Sequence, residues 1–138
     1  IIDGLSNTML FSEILVGSGT GGKYGASYDL RGFSYWAYGG TFSGFLTPNS
    51  TKPDWLQSTG YCVYPAPMNP PCDVAQTASG SAAVAGMTLF AARSRHPGGV
   101  NVCFADGSVK FIKNTVSPQV YMGLSTTRGG EVISADAY

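Results

Sequence analysis

The chain has 138 residues, enough for one domain whose folding buries roughly two-thirds of the surface its extended form exposes. Eight basic residues balance eight acidic ones, so there is no electrostatic footprint for nucleic acid or an anionic lipid surface. Charged residues make up 12% of the chain, against about 25% in an average soluble domain, and no apolar run is long enough to span a membrane. Low charge combined with many aromatic side chains favours self-association or a crowded extracellular setting.

Asp3-Gly4 opens a turn, and Ser6-Asn7-Thr8 can bond neighbouring backbone groups ahead of the apolar run Met9 to Val16. Read as a strand, that run places Leu10, Ser12, Ile14 and Val16 on one face. Met9, Phe11, Glu13 and Leu15 fall on the other, a pattern that predicts cover on both sides. Glu13 is then a carboxylate near apolar neighbours, either paired with an arginine near the strand edge or holding a metal or ligand. Gly17 to Gly22, GSGTGG, matches G-x-G-x-x-G in form only. A dinucleotide site needs a helix to start there, and the following KYGASYDLRGFSYW has no helical period. The stretch reads as a loop.

Phe33 to Tyr38, FSYWAY, predicts a strand with Phe33 and Tyr35 on one face and Trp36 and Tyr38 on the other. One of these faces is covered by the next loop, meets another subunit, or stacks on a sugar ring. The stretch from Gly39 to Asp73 is rich in Gly, Pro, Ser, Thr and Asn, and too long for an ordinary connector. It predicts an ordered excursion anchored by Trp55, Leu56, Tyr61, Val63 and Tyr64. Cys62 and Cys72 lie in its proline-rich end. A disulfide between them contributes roughly 3 kcal/mol in the loop-entropy account and implies an oxidising compartment. Asn49-Ser50-Thr51 has the form of a glycosylation sequon but reads as loop composition.

Ala75 to Gly86 is a tract of small residues that reads as a surface connection, and Met87 to Ala92 predicts another strand. Next come Arg93, Ser94, Arg95 and His96, the only histidine, then Pro-Gly-Gly and two apolar runs joined by Asp106-Gly107. Asp-Gly between such runs signals a two-residue hairpin turn. That turn would place Phe104 opposite Val109 and Val102 opposite Phe111, with Val100, Val102, Phe104, Val109 and Phe111 on the core face. Cys103 falls on the wetter face as a half-buried thiol. Ser117 can cap a short helix through about Leu124, with Pro118 at its first position and Val120, Tyr121 and Leu124 on one side. Arg128-Gly129-Gly130 ends that element, Glu131 to Ser134 predicts a last strand, and Asp136 to Tyr138 a tail.

Ser94, His96 and Asp106 are the residue types of a nucleophilic triad, but there is no nucleophile elbow and a turn aspartate is normally committed to backbone geometry. The three cysteines with His96 lack the knuckle spacing of a zinc site. For His96 the sequence favours a structural role. Its imidazole can bond backbone at the base of the hairpin or pair with Glu13 or Asp106, and Arg93 and Arg95 can join the same polar cluster.

His96, nine residues and then Asp106-Gly107 resembles the C-terminal signature of a large bacterial family of unknown function, domain of unknown function 1559. Its members are labelled prepilin-type and are numerous in planctomycetes. IIDGLSNTMLFSE, DLRGF, LTPNSTKPD, GYCV, NPPC and RGGEVISADAY are similar to the same family, so the resemblance covers nearly the whole chain. It implies a single pseudopilin-like, β-rich C-terminal domain over residues 1–138. The expected fold is mainly β (α+β with a pilin helix counted): an antiparallel sheet with a C-terminal hairpin, long ordered loops and one short helix. The prepilin helix of full-length members is missing, and the chain does not begin with Met, so it reads as a processed, excised or incomplete product. Pilin-like secretion subunits can hold calcium in a surface loop, and Asp29, Asp54, Asp73 and Asn69 offer loop oxygens, though without EF-hand spacing.

Two functions follow. The first is a non-enzymatic, extracellular or cell-surface structural subunit that assembles with copies of itself or other pilin-like proteins. The second is a glycan- or solute-binding module built on Phe33, Tyr35, Trp36, Tyr38 and Trp55.

Overall fold

The computed structural model describes every residue except 26, 35–38, 57–58, 75–87, 132 and 135–136. The fold is mainly β, and the described residues fall into two units. The first comprises Ile1–Glu13, Phe42–Ser50 and Ala91–Tyr138, and the second Ile14–Thr41 and Thr51–Phe90.

The first unit is built on a three-stranded antiparallel sheet in the order β1 (Met9–Ser12), β4 (Gly99–Phe104), β5 (Val109–Lys113). Asp106-Gly107 does turn the chain, but within a three-residue loop. The Gly107 amide donates to the Phe104 carbonyl at 2.9 Å, Phe104 N–H donates to Ser108 at 2.8 Å, and Gly107 is left-handed at φ 85°. The extra residue shifts the register by one, so Cys103 faces Val109 and Val102 faces Lys110. A one-residue shift exchanges the faces of a whole strand. Val109 and Phe111, expected in the core, are therefore exposed on the outer face, while Ile112 is buried.

β1 departs from expectation for a similar reason. Its register breaks between Met9, opposite Phe104, and Phe11, opposite Cys103, leaving Leu10 as the extra residue of a bulge. Met9 therefore turns inward, whereas Leu10 and Phe11 are exposed, and the strand stops at Ser12 instead of running to Val16. It is covered on one side only.

The inner face carries Met9, Val100, Val102, Phe104 and Ile112, which pack with Ala92, Val116, Tyr121 and Leu124. Each fully buried large side chain here contributes about 1.5–3 kcal/mol. Tyr121 and Leu124 come from α1 (Pro118–Leu124), which begins as the sequence predicts. Pro118 takes the first turn, and Ser117 Oγ accepts from the Val120 amide at 3.4 Å. Glu131, Ile133 and Ser134 form no strand. The preceding Gly129 and Gly130 amides donate to Asp3 at 2.9 and 2.8 Å, and Ile2 N–H donates to the Thr127 carbonyl at 2.8 Å. The chain's first residues thus hold 126–130 in a loop.

In the second unit, β2 (Asp54–Leu56) and β3 (Cys72–Val74) form a parallel pair that the antiparallel expectation did not include. Of the strand expected over Met87 to Ala92, the described part contributes only a bridge from Leu89 to Trp55. Leu56, Cys62, Cys72 and Phe90 form a small core, with Tyr24, Tyr61 and Tyr64 against it. Cys62 and Cys72 are disulfide-bonded, their Cα atoms 5.9 Å apart. The tract Ala75 to Gly86 lies outside the described residues.

Candidate functional site

The outer face of the three-stranded sheet joins an apolar surface to a polar cluster. Side-chain alternation past Ser12 sends Glu13 to the outer face, where Asn101 of β4 also points. Asn101 donates to Glu13 twice, from its backbone N–H to Oε2 at 2.8 Å and from Nδ2 to Oε1 at 3.3 Å. His96 Nε2 lies 3.0 Å from the same Oε1. Burial pushes the Glu13 carboxyl up, but the Asn101 amide, the Asn101 side chain and His96 outweigh it, so the group sits below its ordinary value. Glu13 and His96 remain partly open to solvent, with side chains 33% and 53% exposed.

The loop that presents His96 is shaped by Asn49, whose left-handed backbone (φ 52°) is a conformation asparagine tolerates. Asn49 Oδ1 accepts from the Ser94 amide at 2.8 Å, and its Nδ2 donates to Gly99 O at 3.2 Å and Asn114 Oδ1 at 3.0 Å. Ser94 Oγ donates to the Gly99 carbonyl at 2.8 Å and accepts from the His96 backbone N–H at 3.1 Å. Gly99 is needed because a Cβ there would stand 2.2 Å from Ile112 O and 2.8 Å from the Phe111 ring. Arg93 is buried, donating from its backbone to Glu13 O at 2.9 Å and from Nη1 to Ser50 O at 2.6 Å, whereas Arg95 is exposed.

Serine, histidine and aspartate therefore serve separate ends. Ser94 bonds backbone, His96 meets Glu13, and Asp106 Oδ1 accepts from the Ser108 hydroxyl at 2.6 Å and amide at 2.9 Å at the hairpin tip. Those Ser108 bonds, the hydroxyl first, lower the Asp106 carboxyl. Beyond the polar cluster the outer face is apolar, with Leu10, Phe11, Val109 and Phe111 at 52%, 67%, 65% and 43% exposure. Cys103, half-buried among them, directs its Sγ to the Phe104 carbonyl at 3.5 Å.

In the second unit the candidate loop oxygens separate. Asp29 and Asp54 are buried on Arg31, which contacts Asp29 through Nε at 3.0 Å and Nη2 at 2.7 Å. Its Nη1 reaches Asp54 at 2.9 Å and the Pro71 carbonyl at 3.1 Å. The Val63 amide donates to Asp29 at 3.1 Å. A Cβ at Gly17 would fall 2.2 Å from Asp29 Oδ1, so the glycine-rich loop packs on this network. Asp73 lies instead with Tyr24 and Lys23; the short Tyr24 hydroxyl bond is the main cause that lowers its carboxyl, and Lys23 Nζ is 3.1 Å away. Among the described residues no three His, Cys, Asp or Glu side chains gather as a metal site. Trp55, on β2, is 40% exposed and Phe33 is half-buried in a turn, while Tyr35, Trp36 and Tyr38 lie outside the described residues.

The family model described as "Protein of unknown function (DUF1559)" matches residues 1–119. The chain belongs to this family. Glu13, Asn49, His96, Asn101 and Asp106 all fall within the DUF1559 match, and residues 120–138 follow it. No curated protein and no solved structure matches the chain. Among the described residues no helix is long and apolar enough to cross a membrane. Asn49 and Asn101 were not legible as site residues. Their neighbours in space are up to 88 positions away in the chain, and the only local signal was an asparagine in a loop that already resembled the family.

Proposed function

We propose that this DUF1559 chain is a non-enzymatic structural subunit of an extracellular or cell-surface, pilus-like assembly, built from copies of itself. The observation that carries the reading is the exposed outer sheet face, where Leu10, Phe11, Val109 and Phe111 are all open to solvent in a chain of zero formal charge. Exposed apolar surface of this kind marks contact with another protein, and neutrality removes repulsion between copies. The resemblance to prepilin-type proteins and the Cys62–Cys72 disulfide support an oxidising, external setting. In this reading the Glu13, His96 and Asn101 cluster is a clasp that fixes the rim of the contact face.

The test is the assembly state of the purified chain, by electron microscopy beside light scattering in non-reducing buffer, with and without chelator. Regular assemblies that survive chelator are expected. A monodisperse monomer across the concentration range overturns the reading.

A further inference from the structure

We propose that β5 pairs antiparallel, about a two-fold axis, with β5 of a second copy, Phe111 opposite Phe111. This deepens the structural-subunit reading and rests on it. The two edges of the sheet differ. β1 is a four-residue strand with a bulge at Leu10, features that spoil a template for pairing. β5 is unbulged, contains no proline, and pairs on its other side with no strand among the described residues. Inward-pointing lysines commonly guard such edges. Here Lys110 is committed elsewhere: its Nζ donates to the Tyr138 hydroxyl at 2.7 Å and sits 4.6 Å and 4.9 Å from the centres of the Phe104 and Tyr138 rings.

The register follows from hydrogen bonding and charge. Phe104 bonds Ser108, and Asn114 bonds Gly98, so the even-numbered positions of β5 face β4. Val109 and Phe111 then turn both N–H and C=O to the open edge and Lys113 its N–H, while the Lys113 carbonyl accepts from the Val116 amide at 3.1 Å. Centring the two-fold axis on Phe111 lets the two Phe111 residues exchange both bonds and each Lys113 N–H donate to the Val109 carbonyl of the second copy, with Val109 opposite Lys113. Centring it on Lys110 or Lys113 sets two lysines face to face, which is destabilising. In the Phe111-centred register each Lys113 instead lies opposite Val109 of the other copy, so no two lysines face one another. The apolar outer faces become continuous across a six-stranded sheet, an isologous contact closed by symmetry.

The test uses a Cys103→Ser background. In the double variant Val109→Cys/Lys113→Cys the new thiols of two copies lie opposite one another, at a Cα separation of about 5.5 Å that a disulfide spans. Mild oxidation is expected to give a covalent dimer on a non-reducing gel. Val109→Cys alone, with its copies about 13 Å apart along the strands, is expected to stay uncrosslinked. No cross-link from the double variant, or equal cross-linking of the single, overturns the pairing. By sedimentation, Val109→Lys is expected to lose the dimer at concentrations where the parent chain forms it, with an unchanged melting temperature showing an intact fold. If Val109→Lys assembles like the parent, β5 pairing is refuted and the structural-subunit reading survives. A parent chain that stays monomeric refutes both.

Discussion

The two polar clusters of this protein both hold carboxylates through side-chain and backbone nitrogen groups, but in opposite surroundings. Asp29, Arg31 and Asp54 are each 1% exposed, and each guanidinium nitrogen donates to an oxygen. Glu13 and His96 stand at a rim where water competes for both. A buried network holds its partners to strict satisfaction, because removing one member leaves a charge with neither water nor counter-charge. A rim cluster tolerates loss and can respond to its medium. The first is suited to fixing a fold, the second to shaping a surface.

The strongest way to break the contrast is Arg31→Met. It leaves two carboxylates buried without their cation, and a loss of about 3–5 kcal/mol is expected in chemical denaturation followed by Trp55 fluorescence. Converting Asp29 and Asp54 to Leu in the same variant should recover part of that loss, since an apolar replacement of the whole network removes the unpaired charges. No recovery would mean that the Val63 and Pro71 backbone contacts, not the charges, hold the region.

Gly99→Ala comes next. The new Cβ meets the Ile112 carbonyl and the Phe111 ring, so a cost of about 1–3 kcal/mol is expected in thermal melts, along with displaced His96 resonances. An unshifted His96 spectrum would separate the clasp from its floor.

Glu13→Gln is the smallest, at about 0.5–1 kcal/mol after allowance for solvent screening of a partly exposed pair. Because the folded carboxyl lies below its ordinary value, Glu13 stabilises fully above the unfolded value and loses that contribution as pH falls through the folded one. The melting-temperature gap between parent and Glu13→Gln should therefore be widest near neutral pH and close on acidification. A gap that widened in acid would reverse the assignment.

What the sequence made legible was local. Ser117-Pro118 announces a helix start within one turn, and Asp106-Gly107 announces a chain reversal whatever the loop length. The loop length itself escaped, because Asp-Gly suits both two- and three-residue connections, and that single residue decided which face Val109 and Phe111 occupy. The bulge at Leu10 escaped for the same reason: alternation in a sequence presumes an unbroken ladder. Glu13 and His96 could be named as partners because few candidates existed, yet Asn49 and Asn101 could not, since nothing nearby in the chain specifies them. Asp29 and Asp54 were visible as loop oxygens, but their meeting on Arg31 depends on contacts across 23 residues.

The Asp3 carboxylate, gripping the Gly129 and Gly130 amides and the Thr126 hydroxyl, has a mechanical consequence. The segment that enters the first unit and the segment that leaves its helix are stitched together at one point. Tension applied through the two ends of the chain loads the Lys110–Tyr138 contact and these Asp3 bonds before it can shear β1 from β4. Under load the unit would yield in steps, surrendering its tail while the hairpin keeps its shape.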